Sequence, residues 1–327
     1  MSDAPPYPDY IPRTFGQILD RVFRLMRANF KLLVGIAVLP PAAFYAVFAL
    51  IAAVVIWPVL HALPRTPSPE EVLRLVLVFA PLMVVWMVIH LLVFALYLPA
   101  ASFASVRAYC DLSATFRESC VTAWIHAGRY VLLFFLLYLI CFFPALVIEL
   151  VMFAGIGLAA LHKAQPNPLM IASFPLLSLV QMAALIVGFI LAVRFSLAFP
   201  AAVFEDLTAW QAIKRSGVLT RGAKGRIFLV LLVIYAATYL AVMVLMSGAA
   251  LMGALGFLAY SQMHLHLSTP AIWALMAFGG VAFLAFMVLF TAVNWAAYMT
   301  AFAVIYNDQR VRVDGVPPAI APSGVSA

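Results

Sequence analysis

Residues 14–31 read TFGQILDRVFRLMRANFK, and the run that follows them, residues 32–64, holds no Asp, Glu, Lys or Arg. A basic, two-faced segment therefore abuts an uncharged apolar one. Apolar runs of about 18 or more residues read as transmembrane helices. Further uncharged runs occupy 75–106, 130–148, 164–193 and 227–307. The last is long enough for two crossings, with SQMHLHLSTP (261–270) as the turn between them, and the others hold one each. The expected spans are 32–57, 75–99, 130–154, 174–199, 227–256 and 272–304. Each exceeds the roughly 20 helical residues that cross a hydrocarbon core of about 30 Å. Composition agrees. The chain is 67% hydrophobic and 9% charged over 327 residues, too few charges to clothe a soluble domain. The short polar/apolar alternation of a transmembrane β-barrel is absent. The fold class is all-α: a polytopic integral membrane protein with six spans.

Six spans put both ends of the chain on one side. Sixteen of the nineteen Lys and Arg residues fall on that side, the exceptions being Arg65, Arg74 and Lys163. The positive-inside rule then places both termini in the cytoplasm. The net charge of +7 follows from this topology. Its natural partner is the anionic inner leaflet rather than nucleic acid. The Pro-rich residues 1–13 lack a basic start followed by a short apolar core, so no cleavable signal peptide is expected. That segment and the tail 311–327 are expected to be disordered, flanking one membrane domain over 14–310. Cys110, Cys120 and Cys141 have no metal-like spacing, and two of them face the cytoplasm, so no disulfide is expected.

On a helical wheel, Phe15, Ile18, Leu19, Val22, Phe23, Leu25, Met26 and Phe30 share one arc of the opening segment. Asp20, Arg21, Arg24, Arg27 and Lys31 occupy the other. Thr14 and Gln17 have the spacing of a capping box, in which a Thr hydroxyl takes a first-turn amide and the Gln side chain reaches back. This pattern predicts an interfacial helix lying on the inner leaflet before span 1. The device recurs at Thr115–Glu118 before span 3 and at Thr208–Gln211 before span 5. Each box carries an aromatic residue (Phe15, Phe116 or Trp210), and a basic residue follows 13 or 14 positions after the Thr (Arg27, Arg129 or Arg221). LPAASFA (98–104) and FPAAVFE (199–205) precede the second and third boxes. The reading is three parallel units, approximately 14–106, 115–200 and 208–306, each a capped surface helix followed by a two-span hairpin.

Two stretches, RTFGQILDRVFRLMRANFKLL (13–33) and RFSLAFPAAVFEDLTAWQAIKRSGVLTRG (194–222), resemble the membrane domain of some bacterial glycerophosphoryl diester phosphodiesterases. Gly16, Ile18, Leu19, Asp20, Phe23, Leu25, Arg27, Asn29 and Phe30 fit the opening motif of that family. Pro200, Ala201, Val203, Glu205, Ala212, Arg215, Ser216, Leu219, Thr220 and Gly222 fit its late segment. The resemblance covers roughly residues 10–310. In that family the hydrolysis belongs to a separate soluble barrel, for which this chain has no room, so the resemblance implies the membrane domain without the activity. There is no P-loop, G-x-S-x-G or H-E-x-x-H motif either, and no cofactor is implied.

The candidate headgroup-binding residues are Arg21, Arg24, Arg27, Lys31, Lys214, Arg215 and Arg221. Glu149 is the acidic residue within an apolar run. At 20 residues past Arg129 it is expected near the outer interface, with an ion or proton relay as the functional alternative. His90, Gln181, Thr238 and Asn294 are expected to hydrogen-bond across helix interfaces. SGAALMGALG (247–256) is expected to provide close helix packing. His264 and His266 form an H-x-H too poor in further ligands for a zinc site. The expected function is a non-enzymatic scaffold or lipid-interacting module, with other membrane proteins as potential partners. The alternative is a permease with a pathway between the hairpins. A permease requires polar residues converging on one cavity, whereas a scaffold requires a packed apolar interior.

Overall fold

The computed structural model describes residues 12–56, 58, 69–161, 168–262 and 269–315, and among these it contains helices and no strand. The helices are α1 (Phe15–Ala28), α2 (Phe30–Ala37), α3 (Leu39–Ile51), α4 (Pro69–Tyr109), α5 (Phe116–Ile125) and α6 (Ala127–Leu161). They continue with α7 (Pro168–Phe195), α8 (Ala198–Phe204), α9 (Ala209–Leu219), α10 (Lys224–Gln262) and α11 (Thr269–Asp314). Six segments are long and apolar enough to cross a membrane: Phe30–Val55, Pro81–Tyr109, Ala127–Met152, Pro175–Phe204, Lys224–Gly248 and Gly279–Asp314. The expected number of spans is therefore found, and the chain is a multi-pass membrane protein.

Several boundaries differ from expectation, each for a local reason. The opening segment is not one helix to Lys31. Asn29 (φ −116°, ψ 25°) breaks it, its side-chain amide donating to the Leu25 carbonyl at 3.3 Å, so Phe30 and Lys31 already belong to span 1. Span 1 breaks again at Val38, where Pro40 and Pro41 open α3 in first-turn positions that need no N–H partner. Span 2 does not end at Pro99. Although that proline leaves a carbonyl of the preceding turn unbonded, α4 runs on to Tyr109. The added ten residues are almost entirely buried, which outweighs the lost bond. At the other end of the chain, α11 runs through to Asp314, four residues into the stretch expected to be tail, because Asp314 is held by Arg215. Within 247–256 the residues whose surroundings are described do not pack as expected: Ser247, Gly248, Leu251 and Gly253 are exposed, and a Cβ added at Gly248 or Gly253 would meet nothing within 4 Å. The turn 263–268, with His264 and His266, lies outside the described residues, as do residues 1–11 and 316–327.

The core gathers at the end of the bundle that carries the basic connections. One cluster joins Ile18 and Val22 of α1 to Tyr130, Leu197, Ala201, Leu219, Ile227 and Tyr306. A second joins Leu33 and Ile36 of α2 to Tyr97, Ala104, Ala296 and Met299. The abundance of alanine is physical. In lipid there is no hydrophobic drive to bring helices together, so close packing of small residues must do it. Only 11–17% of the most apolar window of each span is buried, and the remainder is partly or fully exposed.

Candidate functional site

The layer at the basic end is built from three short capped helices. At α1, the Thr14 N–H donates to Gln17 Oε1 at 2.8 Å and the Gln17 N–H donates to Thr14 Oγ1 at 3.4 Å. At α5, the Thr115 N–H donates to Glu118 at 2.9 Å and the Glu118 N–H to Thr115 Oγ1 at 3.2 Å. The bond from the Thr115 backbone, first among its causes, holds the Glu118 carboxyl below the usual range. At α9, Gln211 accepts from both the Thr208 N–H (3.0 Å) and the Thr208 hydroxyl (2.8 Å).

The apolar arc of α1 divides in two. Ile18, Val22, Leu25 and Met26 are buried against the protein, whereas Phe15, Phe23 and Phe30 stay exposed. The other two surface helices also expose aromatic residues, Phe116 and Trp124 on α5 and Trp210 on α9. The seven candidate headgroup residues divide similarly. Arg24, Arg27, Lys31, Lys214 and Arg221 are exposed. Arg24 pairs with Asp20 one turn away, and the Lys214 ammonium sits over the Trp210 ring at 5.6 Å. Arg21 and Arg215 turn inward. Arg21 donates to the Tyr109 carbonyl at 3.0 Å and approaches Asp111 at 3.6 Å.

Arg215 belongs to a cluster of charges that sequence spacing did not disclose. It donates to Glu205 Oε2 at 2.7 Å and forks onto both oxygens of Asp314. Those bonds, Asp314's first, raise its pKa further above the ordinary arginine value. Arg310 lies 3.6 Å from Glu205, and the Tyr306 hydroxyl donates to the same carboxylate at 2.9 Å. Two carboxylates and two guanidiniums leave this group electrically balanced. A second group centres on Asp308, which accepts from the Arg13 N–H at 2.7 Å and from Arg312 at 2.9 Å, with Arg226 at 3.3 Å. Arg226 and Arg312 both also donate to the Arg13 carbonyl. Near the start of α6, Arg129 donates to Asp206 at 2.6 Å, which depresses the Asp206 pKa.

The late segment singled out in the sequence has a defined mechanical role. The chain breaks between α7 and α8, freeing backbone groups, and α9 satisfies them. Ser216 Oγ donates to the Arg194 carbonyl at 3.1 Å and accepts from the Leu197 N–H at 3.2 Å. Thr220 Oγ1 donates to the Arg194 carbonyl at 2.9 Å. Ala212 and Leu219 are fully buried beneath.

Below this layer, α4, α6, α7, α8 and α11 enclose an apolar crevice of about 220 Å³. Its polar lining groups are the hydroxyls of Ser102, Tyr138 and Ser196. None of Glu149, His90, Gln181 and Asn294 lines it. Glu149 is exposed on α6. His90 packs edge-on against Phe44 (4.7 Å) and Phe94 (4.9 Å). The expected cross-helix hydrogen bonds are not made. His90 Nδ1, Gln181 Oε1 and Asn294 Oδ1 are enclosed without partners, and Thr238 bonds back to the Ile234 carbonyl of its own helix at 2.9 Å. Helical geometry offers Thr that local acceptor at no cost in packing.

No family model, curated protein or solved structure matches the chain.

Proposed function

We propose that the chain is a non-catalytic membrane module that binds anionic inner-leaflet lipid and acts as a scaffold, similar to the membrane domain of the glycerophosphodiester phosphodiesterases. Its basic end faces the cytoplasm. Its spans form three parallel units, each opened by a capped surface helix. The observation that carries this reading is the pairing of exposed aromatic rings with exposed cations on all three surface helices. Phe23 accompanies Arg27, with Phe30 and Lys31 just beyond the break at Asn29, Phe116 accompanies Arg117, and Trp210 accompanies Lys214. Aromatic rings beside Lys and Arg suit the headgroup layer. The stacking of Phe103 on Phe204 (6.3 Å, 13°), at matching positions of LPAASFA and FPAAVFE, supports the repeat. The apolar crevice and the scattered intramembrane polar residues favour this reading over a permease.

The test is the melting temperature of the full chain in nanodiscs of anionic or zwitterionic lipid. Each exposed cation near an anionic surface contributes about 1 kcal/mol, screened by salt. Exchanging Arg27, Lys31, Lys214 and Arg221 for Gln is expected to erase the stabilisation by anionic lipid. Equal melting of the parent chain in both lipids would refute headgroup binding. Cysteine labelling from outside the cell at position 117 would refute the orientation. Release of glycerol phosphate from glycerophosphodiesters above the buffer rate would refute the absence of catalysis.

A further inference from the structure

We propose that the crevice holds one acyl chain of an ester-linked membrane lipid, with the Ser102 hydroxyl donating to the ester carbonyl. The inference deepens the lipid-binding function above by giving it a seat for the chain as well as the headgroup.

Size bears on the choice of ligand first. At about 220 Å³ the crevice is smaller than the 300–1,000 Å³ of pockets for compact ligands. Part of a single flexible chain enters such a space, with the rest continuing into the surrounding lipid, and a bulky solute does not. The lining also has a direction. Ser102 and Ser196 lie toward the basic end of their helices, whereas Leu98, Cys141, Ala192 and Met299 lie deeper toward the opposite end. The two serine hydroxyls thus stand near the basic end among the apolar Phe195, Phe199 and Pro200, at the end of the crevice where an ester-linked lipid would carry its esters. Phe142 (40% exposed) and half-buried Tyr138 at the crevice give it a side facing away from the protein.

Ser102 carries the specific part of the inference. It is 1% exposed, yet its Oγ has no hydrogen-bond partner. Thr300 of α11 satisfies itself on the preceding turn by donating to the Ala296 carbonyl at 2.8 Å, whereas Ser105 of α4 is enclosed and unpartnered like Ser102 but does not line the crevice. Ser102 Oγ makes no such bond, and in this crevice an ester carbonyl supplies an acceptor. Its depth fits. Ser102 precedes Arg107 by five residues on α4, about 7.5 Å at roughly 1.5 Å per residue. The polar interface flanking a hydrocarbon core is roughly 5–8 Å thick on each side. With Arg107 among headgroups, Ser102 therefore stands at the level of the esters.

The experiment uses the full chain in nanodiscs doped with a zwitterionic diester phospholipid that carries a photoactivatable diazirine in one chain. Adducts are mapped by mass spectrometry. They are expected to concentrate on Tyr138, Cys141 and Phe142 relative to Leu176 and Leu179, which are exposed on α7. Equal labelling of the two sets would overturn the proposal. Ser102→Ala is expected to lower crevice adducts about fivefold, the factor that one ordinary hydrogen bond is worth. The matched diether probe is expected to show no such loss. Unchanged diester labelling in Ser102→Ala, or an equal loss with both probes, would overturn the ester contact. Because the probe is zwitterionic and reaches both faces of the disc, failure here is separable from failure of the anionic-headgroup test or of the proposed orientation.

Discussion

The two ends of the same six spans are built on different terms. At the basic end, Leu197, Ala198, Ala201, Val304 and Tyr306 are sealed from solvent and lipid alike, and charges meet in specific pairs. Toward the opposite end, Leu176 (64% exposed), Leu240 (63%) and Val244 (71%) present bare apolar surface. The difference teaches where specificity resides. Leucine gains nothing by leaving lipid for another leucine, so apolar length alone does not choose a neighbour. Small residues, caps and ion pairs make that choice, and they collect in one layer.

The widest expected contrast is between Asp308→Ala and Val244→Ala. Asp308 is fully enclosed by Arg226, Arg312 and the Arg13 N–H, and its loss takes the shared carboxylate from two half-buried guanidiniums, leaving them the Arg13 carbonyl. Removing one partner of a buried pair costs about 3–5 kcal/mol. Val244→Ala, at the exposed end, is expected within about 0.5 kcal/mol of the parent chain. Thermal unfolding in one detergent measures both. Comparable losses would abolish the distinction between the ends.

A smaller contrast uses two glycines. A Cβ at Gly188 would lie 2.0 Å from the Cys141 carbonyl oxygen, so α6 and α7 approach there backbone to side-chain-free backbone. Gly188→Ala forces them apart, at about 1–3 kcal/mol as for other overpacked sites. Gly248→Ala meets nothing within 4 Å and is expected to be neutral or to stabilise by about 0.4–1 kcal/mol. A harmless Gly188→Ala would show that this helix pair is loosely held even near the crevice.

The smallest effect concerns the caps. Thr115→Ala is expected to destabilise α5 by about 1 kcal/mol. Glu118 adds a pH signature. Because its native pKa is depressed, its contribution is present above the ordinary value near 4.3 and fades as pH falls through the native value. Circular dichroism of the parent chain against Glu118→Gln on acidification reads this difference. Identical acid profiles for the two would remove Glu118 from the cap.

The number of spans and all three capping boxes were legible in the sequence because both are local signals, length without charge and a Thr three residues from Gln or Glu. The inward turn of Arg21 and Arg215 was not. Their partners, Asp111 and Asp314, lie about a hundred residues away in each case. A helical wheel reports which side of a helix is charged and nothing about what faces it. The extension of α4 past Pro99 was hidden for a related reason: the burial that keeps Ala100–Tyr109 helical comes from distant elements. The crevice also has no sequence signature, since Ser102 reads as an ordinary small residue until its surroundings are known.

The bonds on Arg13 bear on how the molecule is made. Its N–H and carbonyl are gripped by Asp308, Arg312 and Arg226, joining positions almost 300 residues apart. During synthesis the start of the chain emerges long before α11, and until α11 inserts, Arg13, Arg215 and Arg226 have no α11 carboxylate to meet. Insertion of α11 is thus a closing step. A ribosome-stalled chain lacking residues 306–314 is expected to leave this layer open to quality-control proteases, while the completed chain locks it shut.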